Sequence, residues 1–351
     1  MLDNSQAPFV SVILPVRNEA AYIRMSLESV LAQDYPNGQL EILVIDGMST
    51  DGTRETIRKI TSTKEKYSVC LIDNPKLITP AALNCGLNHA RGDIVIRVDG
   101  HCEIAPDYVR RCVAYLQRED VDGVGGVIET EGNTYTARAI AIAMSTTFGV
   151  GDSSFRTQKH KQFLTDTVPF PAYKQETISR VGVYDEEMLC NEDDEYNYRL
   201  RKLGGRILLA SDINSRYYCR GSLRSLWQQY FKYGLWKIRV MQKHPRQMRI
   251  RQFIPSAFVF TLNFLLLSAL FFPWGWVLFV VTAGSYLLAN LSASLHTAAR
   301  RGWRYLPLLP LVFAILHLSY GFGFIIGLVK FWNRWGDKAG KTLASSGETL
   351  G

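Results

Sequence analysis

Three times in the first hundred residues, a short run of β-branched and other apolar residues stops on an aspartate. Residues 40–45 lead into Asp46, residues 67–72 into Asp73, and residues 94–98 into Asp99. Runs of this length bounded by turn residues read as buried strands. A further run, residues 9–14, precedes them and is closed by Pro15. Between the runs lie stretches with helical spacing. One covers about residues 19–33 with Asn18 as its cap, one about 51–60 behind Ser49 or Thr50, and one about 79–89 opened by Pro80. Alternation of strand and helix pairs the strands in parallel and predicts a doubly wound α/β sheet. Ligands of such sheets bind at the carboxyl ends of the strands. Asp46, Asp73 and Asp99 therefore fall on one edge, expected to be acidic and suited to a ribose, a base or a metal ion.

The last of the three carries the most chemistry. In Asp99-Gly-His101 two potential ligands stand two apart around a glycine, so both can face one divalent ion, and such an ion can hold a diphosphate. The plainer alternative is a surface turn, which Asp-Gly favours unaided. A second acidic stretch, Asn191-Glu-Asp-Asp-Glu195, opens a helix that stops at Gly204-Gly205. Acids in a first turn favour the helix dipole, and a carboxylate on a rigid helix start is also well placed as a general base. Between these stretches, residues 103–118 read as a helix. Residues 121–128 read as a glycine-rich strand without dinucleotide-binding spacing. Residues 149–171 form a polar loop in which Arg156 and Lys159 can reach phosphates.

Charge separates the two halves of the chain. The formal net charge is +8, and no Asp or Glu occurs between Ile213 and Gly336. Arg216, Arg224, Lys232, Lys237, Arg239, Lys243 and Arg249 crowd the start of that span, immediately before long apolar runs. Basic residues in that setting point to an anionic membrane surface and not to nucleic acid. Residues 223–244 are expected to form an amphipathic helix lying along the membrane. Residues 253–272, 277–298 and 306–329 are three candidate spans. Arg300, Arg301 and Arg304 agree with a cytoplasmic side, whereas three crossings put Lys330, Arg334, Lys338 and Lys341 on the far side, against the usual bias, unless one run is re-entrant. Six cysteines without a Cys-x-x-Cys pair point to a reducing compartment, and the N-terminus lacks a signal sequence, so the front domain is expected in the cytoplasm. The expected division is a catalytic domain over 1–222, a basic interface region over 223–252, transmembrane segments over 253–331 and a polar tail over 332–351.

In order along the chain, these motifs resemble those of family 2 glycosyltransferases with a GT-A fold. Val12-Ile-Leu-Pro-Val-Arg-Asn-Glu19 resembles the family's first strand and its Asn-Glu. Val44-Ile-Asp-Gly-Met-Ser-Thr-Asp-Gly-Thr53 resembles the Asp-Asp-Gly-Ser-x-Asp-x-Thr signature, with Gly47 at the second Asp. Asp99-Gly-His101 stands where the family has Asp-x-Asp, Asn191-Glu-Asp193 matches the Thr-Glu-Asp type of base motif, and Gln229-Tyr-Phe-Lys-Tyr233 corresponds to Gln-x-x-Arg-Trp. More narrowly, Asp99-Gly-His-Cys-Glu103, Gly149-Val-Gly151 and Gln229-Tyr-Phe-Lys-Tyr-Gly-Leu-Trp236 are similar to those of succinoglycan glucosyltransferases of the ExoA type. The resemblance implies an inverting transferase of exopolysaccharide biosynthesis in the inner membrane. It would move a sugar, glucose by expectation, from a UDP-sugar to a polyprenyl-diphosphate-linked acceptor. It also implies roles. Pro15, Val16, Glu19, Asp46, Asp73 and Asp99 would surround the nucleotide, Asp99 and His101 would hold the metal, and Asp193 would be the base, next to Glu192. Gln229, Lys232 and Trp236 would sit over the diphosphate. An imidazole suits Mn2+ better than Mg2+, so Mn2+ is the expected cation. Lys232 in place of Arg keeps the charge and loses the bidentate fork. The alternatives are a polyprenyl-phosphate sugar transferase, a processive polysaccharide synthase, or an inactive membrane-bound nucleotide-sugar-binding protein.

Overall fold

The computed structural model describes residues 7–62, 66–151, 153–157, 161–219 and 221–335. In chain order the elements begin β1 (Val10–Val16), α1 (Ile23–Leu31), β2 (Leu40–Asp46), α2 (Thr53–Thr61), β3 (Ser68–Asp73), α3 (Thr79–His89), β4 (Ile94–Arg97), β5 (Cys102–Ile104) and α4 (Tyr108–Arg118). They continue with β6 (Gly123–Glu131), α5 (Tyr135–Met144), α6 (Thr147–Val150), α7 (Ser154–Thr157), β7 (Phe163–Thr165), β8 (Ala172–Lys174), α8 (Gln175–Val181), α9 (Glu192–Lys202) and β9 (Ile207–Tyr218). The chain ends with α10 (Leu223–Lys243), α11 (Ile254–Ser268), α12 (Pro273–Arg301) and α13 (Leu309–Lys330). Among the described residues, one compact unit takes in those up to Glu129 and those from 161 to Tyr217. The other takes in Thr130–Thr157 and the residues from Tyr218 onward. The segment 130–157, expected inside the front domain, thus groups with the C-terminal helices.

The first unit is built on a mixed sheet in the order β3-β2-β1-β4-β8-β6-β9-β5, with β7 also on β9. The four strands foreseen from the apolar runs are parallel neighbours. Every residue of β2 is buried, as helices on both faces of a parallel sheet require. From β8 onward the pairing is antiparallel at β4–β8, β6–β8, β5–β9 and β7–β9. The register brings Val16 opposite Asp46 and Asp46 opposite Asp73, so the carboxyl ends of three strands finish level.

Asn18 does not cap a helix. It lies in the left-handed region (φ +54°), and α1 starts only at Ile23. Its side-chain oxygen accepts from the Thr50 amide at 2.9 Å, and its own amide donates to Ser49 Oγ at 2.8 Å. Glu19 N donates to Thr53 Oγ1 (2.9 Å) and Ala20 N to Asp51 Oδ2 (3.0 Å). The polar residues that read as two separate caps instead lace the loop after β1 to the loop after β2.

In the second unit, α12 (29 residues) and α13 (22 residues) are long and apolar enough to cross a membrane, at about 43 and 33 Å against a hydrocarbon core of about 30 Å. The first apolar run is helical over only 15 residues, about 22 Å, so two of the three expected segments meet the length requirement. Helix α10 packs lengthwise on α13 through glycines. A Cβ at Gly234 would lie 2.1 Å from Tyr320 O, one at Gly323 2.1 Å from Phe231 O, and one at Gly327 2.7 Å from Leu235 O. Leu235, Ile238, Phe324 and Phe331 form the core of that contact, with Trp236 packed against it. Close approach over small residues is how helices associate in lipid. Polar groups on the apolar helices are paired as well. His317 Nε2 donates to Phe148 O (2.7 Å), and its Nδ1 accepts from Tyr286 OH (3.0 Å).

Candidate active site

At the carboxyl edge of the sheet, each strand-end acid of the first unit has a cation beside it. Asp46 is fully buried, and its Oδ2 accepts from the Ser49 amide (3.0 Å) and from Arg54 Nη1 (2.8 Å). The same Arg54 nitrogen reaches Asp73 Oδ1 at 2.7 Å. Arg54, in the first turn of α2, therefore joins the ends of β2 and β3, and the edge is less acidic than the three aspartates alone imply. Among the described residues, Asp46 Oδ1 is buried with no hydrogen-bond partner. A buried carboxylate oxygen left unsatisfied costs about 1–3 kcal/mol, an expense a donor brought in by a ligand would offset. Pro15 and Val16 end β1 beside this group, opposite Ile45 and Asp46.

The turn after β4 is compressed. The Asp99 carbonyl accepts from the Cys102 amide (3.1 Å) and from Ser26 Oγ (3.0 Å). A Cβ at Gly100 would stand 2.9 Å from Val16 Cγ1 and 3.2 Å from Glu19 Cγ, so the glycine is there for want of room. His101 Nδ1 donates to Glu19 Oε1 at 3.0 Å, and its ring meets Tyr217 edge-on at 5.3 Å. A carboxylate on Nδ1 fixes the ring and its tautomer and turns Nε2 into the ligand atom, the usual arrangement behind a metal-bound histidine. Ligand atoms of Asp99, His101 and the buried Cys102 lie within 4.8 Å of one another. A carboxylate and an oriented imidazole at that spacing fit a divalent cation of the Mn2+ or Zn2+ kind. Burial would raise the Asp99 carboxyl, but the Arg97 guanidinium and His101 outweigh it and hold the group below its ordinary value.

Helix α9 brings the second set of acids. Asn191 stands before it in the left-handed conformation (φ +62°), a strain that asparagine tolerates better than most residues. Arg199 holds the helix to the turn after α8, donating to Val181 O (2.6 Å) and Val183 O (2.8 Å). Glu192 is buried and pairs with Arg97 Nη1 at 3.1 Å. Asp193 is partly buried, and its Oδ1 accepts from the Asp194 amide (2.8 Å). Burial first, then the charges of Asp194 and Glu192, push the Asp193 carboxyl up to about 7, against the pull of Arg97. An acid that titrates near neutrality suits proton abstraction at ordinary pH.

The expected residues Pro15, Val16, Glu19, Asp46, Asp73, Asp99, His101, Glu192 and Asp193 all belong to this unit, and Asp99 reaches Glu192, the neighbour of Asp193, through Arg97. Gln229, Lys232 and Trp236 belong to the other unit, on α10. Gln229 Nε2 donates to Tyr233 OH (2.9 Å), Lys232 is exposed, and Trp236 lies against Phe331 (5.4 Å). Arg156 donates to Thr130 Oγ1 (2.6 Å) within that second unit, and Lys159 lies outside the described residues. Arg54 and Arg97 were missed. The available signal for Arg97 was a charge closing an otherwise apolar strand, which demands buried partners. A cavity of about 320 Å3 lined by Pro8, Asp93, Leu116 and Lys174 opens at the opposite end of β4 and includes none of these residues.

Comparison with known proteins identifies the family and the fold. The profile described as Glycosyl transferase family 2 matches residues 11–181. A succinoglycan biosynthesis protein, ExoA, of Rhizobium meliloti is 32% identical over 325 residues, covering 92% of this chain and 96% of that protein. A dolichyl N-acetyl-α-D-glucosaminyl phosphate 3-β-D-2,3-diacetamido-2,3-dideoxy-β-D-glucuronosyltransferase of Methanococcus voltae is 28% identical over 328 residues, 92% of this chain and 98% of that one. Among solved structures, a mannosyltransferase from Pyrobaculum calidifontis in complex with GDP-Man and Mn2+ superposes with a TM-score of 0.55 at 22% identity. That match covers 90% of this chain and 88% of the other, and it shows the shared fold. The chain belongs to glycosyltransferase family 2, an enzyme with a GT-A catalytic fold.

Proposed function

We infer that this enzyme moves a sugar, glucose in the first instance, from a UDP-sugar to a lipid-linked acceptor at a membrane, by single displacement with inversion. One observation carries the reading. A cation-binding turn, Asp99-Gly-His101, is tied through Arg97 to the helix bearing Asp193, whose carboxyl titrates near neutrality. The unpartnered Asp46 Oδ1 favours uridine. With Oδ2 taken by Ser49 and Arg54, one oxygen remains for one N–H, as uracil N3 offers, whereas guanine presents two donors side by side. The acceptor class draws on the relatives. One is named for succinoglycan biosynthesis and the other for transfer to a dolichyl-linked glucosaminyl phosphate, and both α12 and α13 have the length to bring the chain to a lipid.

Asp99 and His101 would hold a divalent cation, Mn2+ in preference to Mg2+. A cation held there would supply positive charge to the departing diphosphate. The chain's own residues do the rest. Glu19 keeps His101 in one tautomer. Asp46 and Asp73, with Pro15 and Val16, seat the nucleoside, and Asp193 beside Glu192 takes the proton of the acceptor hydroxyl as it attacks the anomeric carbon. No enzyme nucleophile is needed for one inversion. Gln229, Lys232 and Trp236 are assigned to the diphosphate at the membrane side, near where the lipid-linked acceptor arrives, and the catalytic unit to the cytoplasmic side of an inner membrane.

The test uses the full-length protein in nanodiscs with a polyprenyl-diphosphate-linked sugar, offering UDP-glucose and GDP-mannose in parallel, with Mn2+ or with chelator. The expected result is one added hexose from UDP-glucose, of inverted configuration, lost with chelator. Binding of UDP-glucose without any product would return the chain to the class of nucleotide-sugar-binding proteins.

A further inference from the structure

Strand β4 runs Ile94, Val95, Ile96 and then Arg97, whose side chain is only 13% exposed. A cation in that position requires counter-charges, and it has two, drawn from different motifs. Its Nε donates to Asp99 Oδ1 at 2.8 Å, and its Nη1 lies 3.1 Å from Glu192 Oε1. Its backbone N–H donates to Pro171 O (3.1 Å). Arg97, Tyr173, Tyr184 and Tyr196 are among the residues that line a cavity of only about 10 Å3. A rigid planar fork with donors on two sides can hold two carboxylates at a set separation, as a lysine cannot.

We propose that Arg97 is a positioning residue for sugar transfer, its two-sided ion pair fixing the Asp99-Gly-His101 turn and the start of α9 so that the cation site and Asp193 address the same sugar. The proposal rests on the reading of Asp193 as the base. Asp193 faces Glu192 and Asp194 on its own helix, Tyr184 in the loop before it, Tyr173 on β8 and Arg97 on β4. Arg97 is the cation in that set. Without it, adjacent acids at the start of α9 repel one another, with the strained Asn191 immediately before them, and the first turn loses its tie to the metal-side turn.

The experiment uses the full-length protein in nanodiscs and three variants, Arg97→Lys, Arg97→Met and the double variant Arg97→Met/Glu192→Gln. The double variant removes Glu192, the more buried of the two acids that lose their partner with Arg97, so it is the informative protein if Arg97→Met does not fold. The readouts are kcat and KM for UDP-glucose from about pH 6 to 9, and calorimetric affinity for Mn2+ with UDP. Misplacing a reacting group by an ångström costs on the order of 10²-fold. Arg97→Met is therefore expected to lose about that much in kcat, with KM and Mn2+–UDP affinity little changed, and its acid limb is expected to move to higher pH. Arg97→Lys keeps the limb in place and recovers part of kcat. The double variant folds but stays as slow as Arg97→Met. A kcat within about threefold of the parent in Arg97→Met or the double variant overturns the proposal, as does a loss confined to KM or to Mn2+–UDP binding. If Asp193→Asn is inactive while Arg97→Met is not, this proposal alone falls. If Asp193→Asn still transfers sugar, both it and the base assignment fall.

Discussion

Replacing Asp193 by Asn is expected to stabilise the protein at alkaline pH while ending its activity. The ordinary carboxyl value is 3.8 and the folded value about 7, a difference of about 3 units. At about 1.4 kcal/mol per unit, ionising Asp193 in the folded state costs at most about 4 kcal/mol. Asp193 is only partly buried, and solvent reaching it reduces the expected effect to about 1–2 kcal/mol. The sign follows from linkage. A folded carboxyl with a raised value stays protonated longer than the unfolded one, so the penalty is absent below about pH 4, grows from there to about pH 7 and is constant above. Asparagine has the shape of the protonated acid and never pays it. For a unit of this size 1 kcal/mol is worth about 2–4 °C, so Asp193→Asn should melt roughly 2–8 °C higher than the parent at pH 8 and with it near pH 4.5. The assay is a thermal melt of both proteins in the same detergent across that range. A melting difference that does not change with pH, or a variant less stable at pH 8, would refute the assignment of a raised carboxyl to Asp193.

Other perturbations follow from the same geometry. Sugar transfer should fall about tenfold per pH unit below pH 7, because the base must be ionised, and a rate profile at saturating donor reads this directly. Asp46→Ala removes the unpartnered oxygen and leaves Arg54 with Asp73 alone. UDP affinity should drop by about 10²-fold, judged from a buried charged hydrogen bond, as calorimetry would show. Gly323→Val puts a side chain where the Phe231 carbonyl stands. It should force α10 and α13 apart and lower the melting temperature, which a thermal melt in detergent reads.

In the parallel half of the sheet β1, β2 and β4 were legible because they are buried on both faces and so read as unbroken apolar runs, each stopped by a turn residue. Strand β3, on the edge of the sheet, has no buried residue and was legible from its apolar run and its closing Asp73 alone. Strands β5, β7 and β8, at 3 residues each, are too short to carry a period, and their antiparallel pairing depends on partners distant in sequence. Asp46, Asp99 and Asp193 stood out as acids at element ends. Arg54 and Arg97, which neutralise two of them, did not, since a basic residue near an acidic motif has no local signature of which carboxylates it will bridge. Asn18 and Ser49 read as caps because the same residue types serve both uses. Only the level ends of β1 and β2 bring their loops close enough to bond each other. Helix α10 read as a surface helix from its Lys, Trp and Tyr content. Its glycine-to-glycine fit on α13 pairs residues about ninety positions apart, beyond what spacing along one segment reveals.

The central claim is that a cation turn and Asp193 act on one sugar, and its most direct test separates binding from chemistry in two single variants. With Mn2+, UDP and UDP-glucose as probes, Asp193→Asn should bind Mn2+–UDP as the parent does and form no product, while His101→Ala should lose Mn2+–UDP affinity and transfer together. Product formation by Asp193→Asn, or equal loss of Mn2+–UDP binding in both variants, would contradict it.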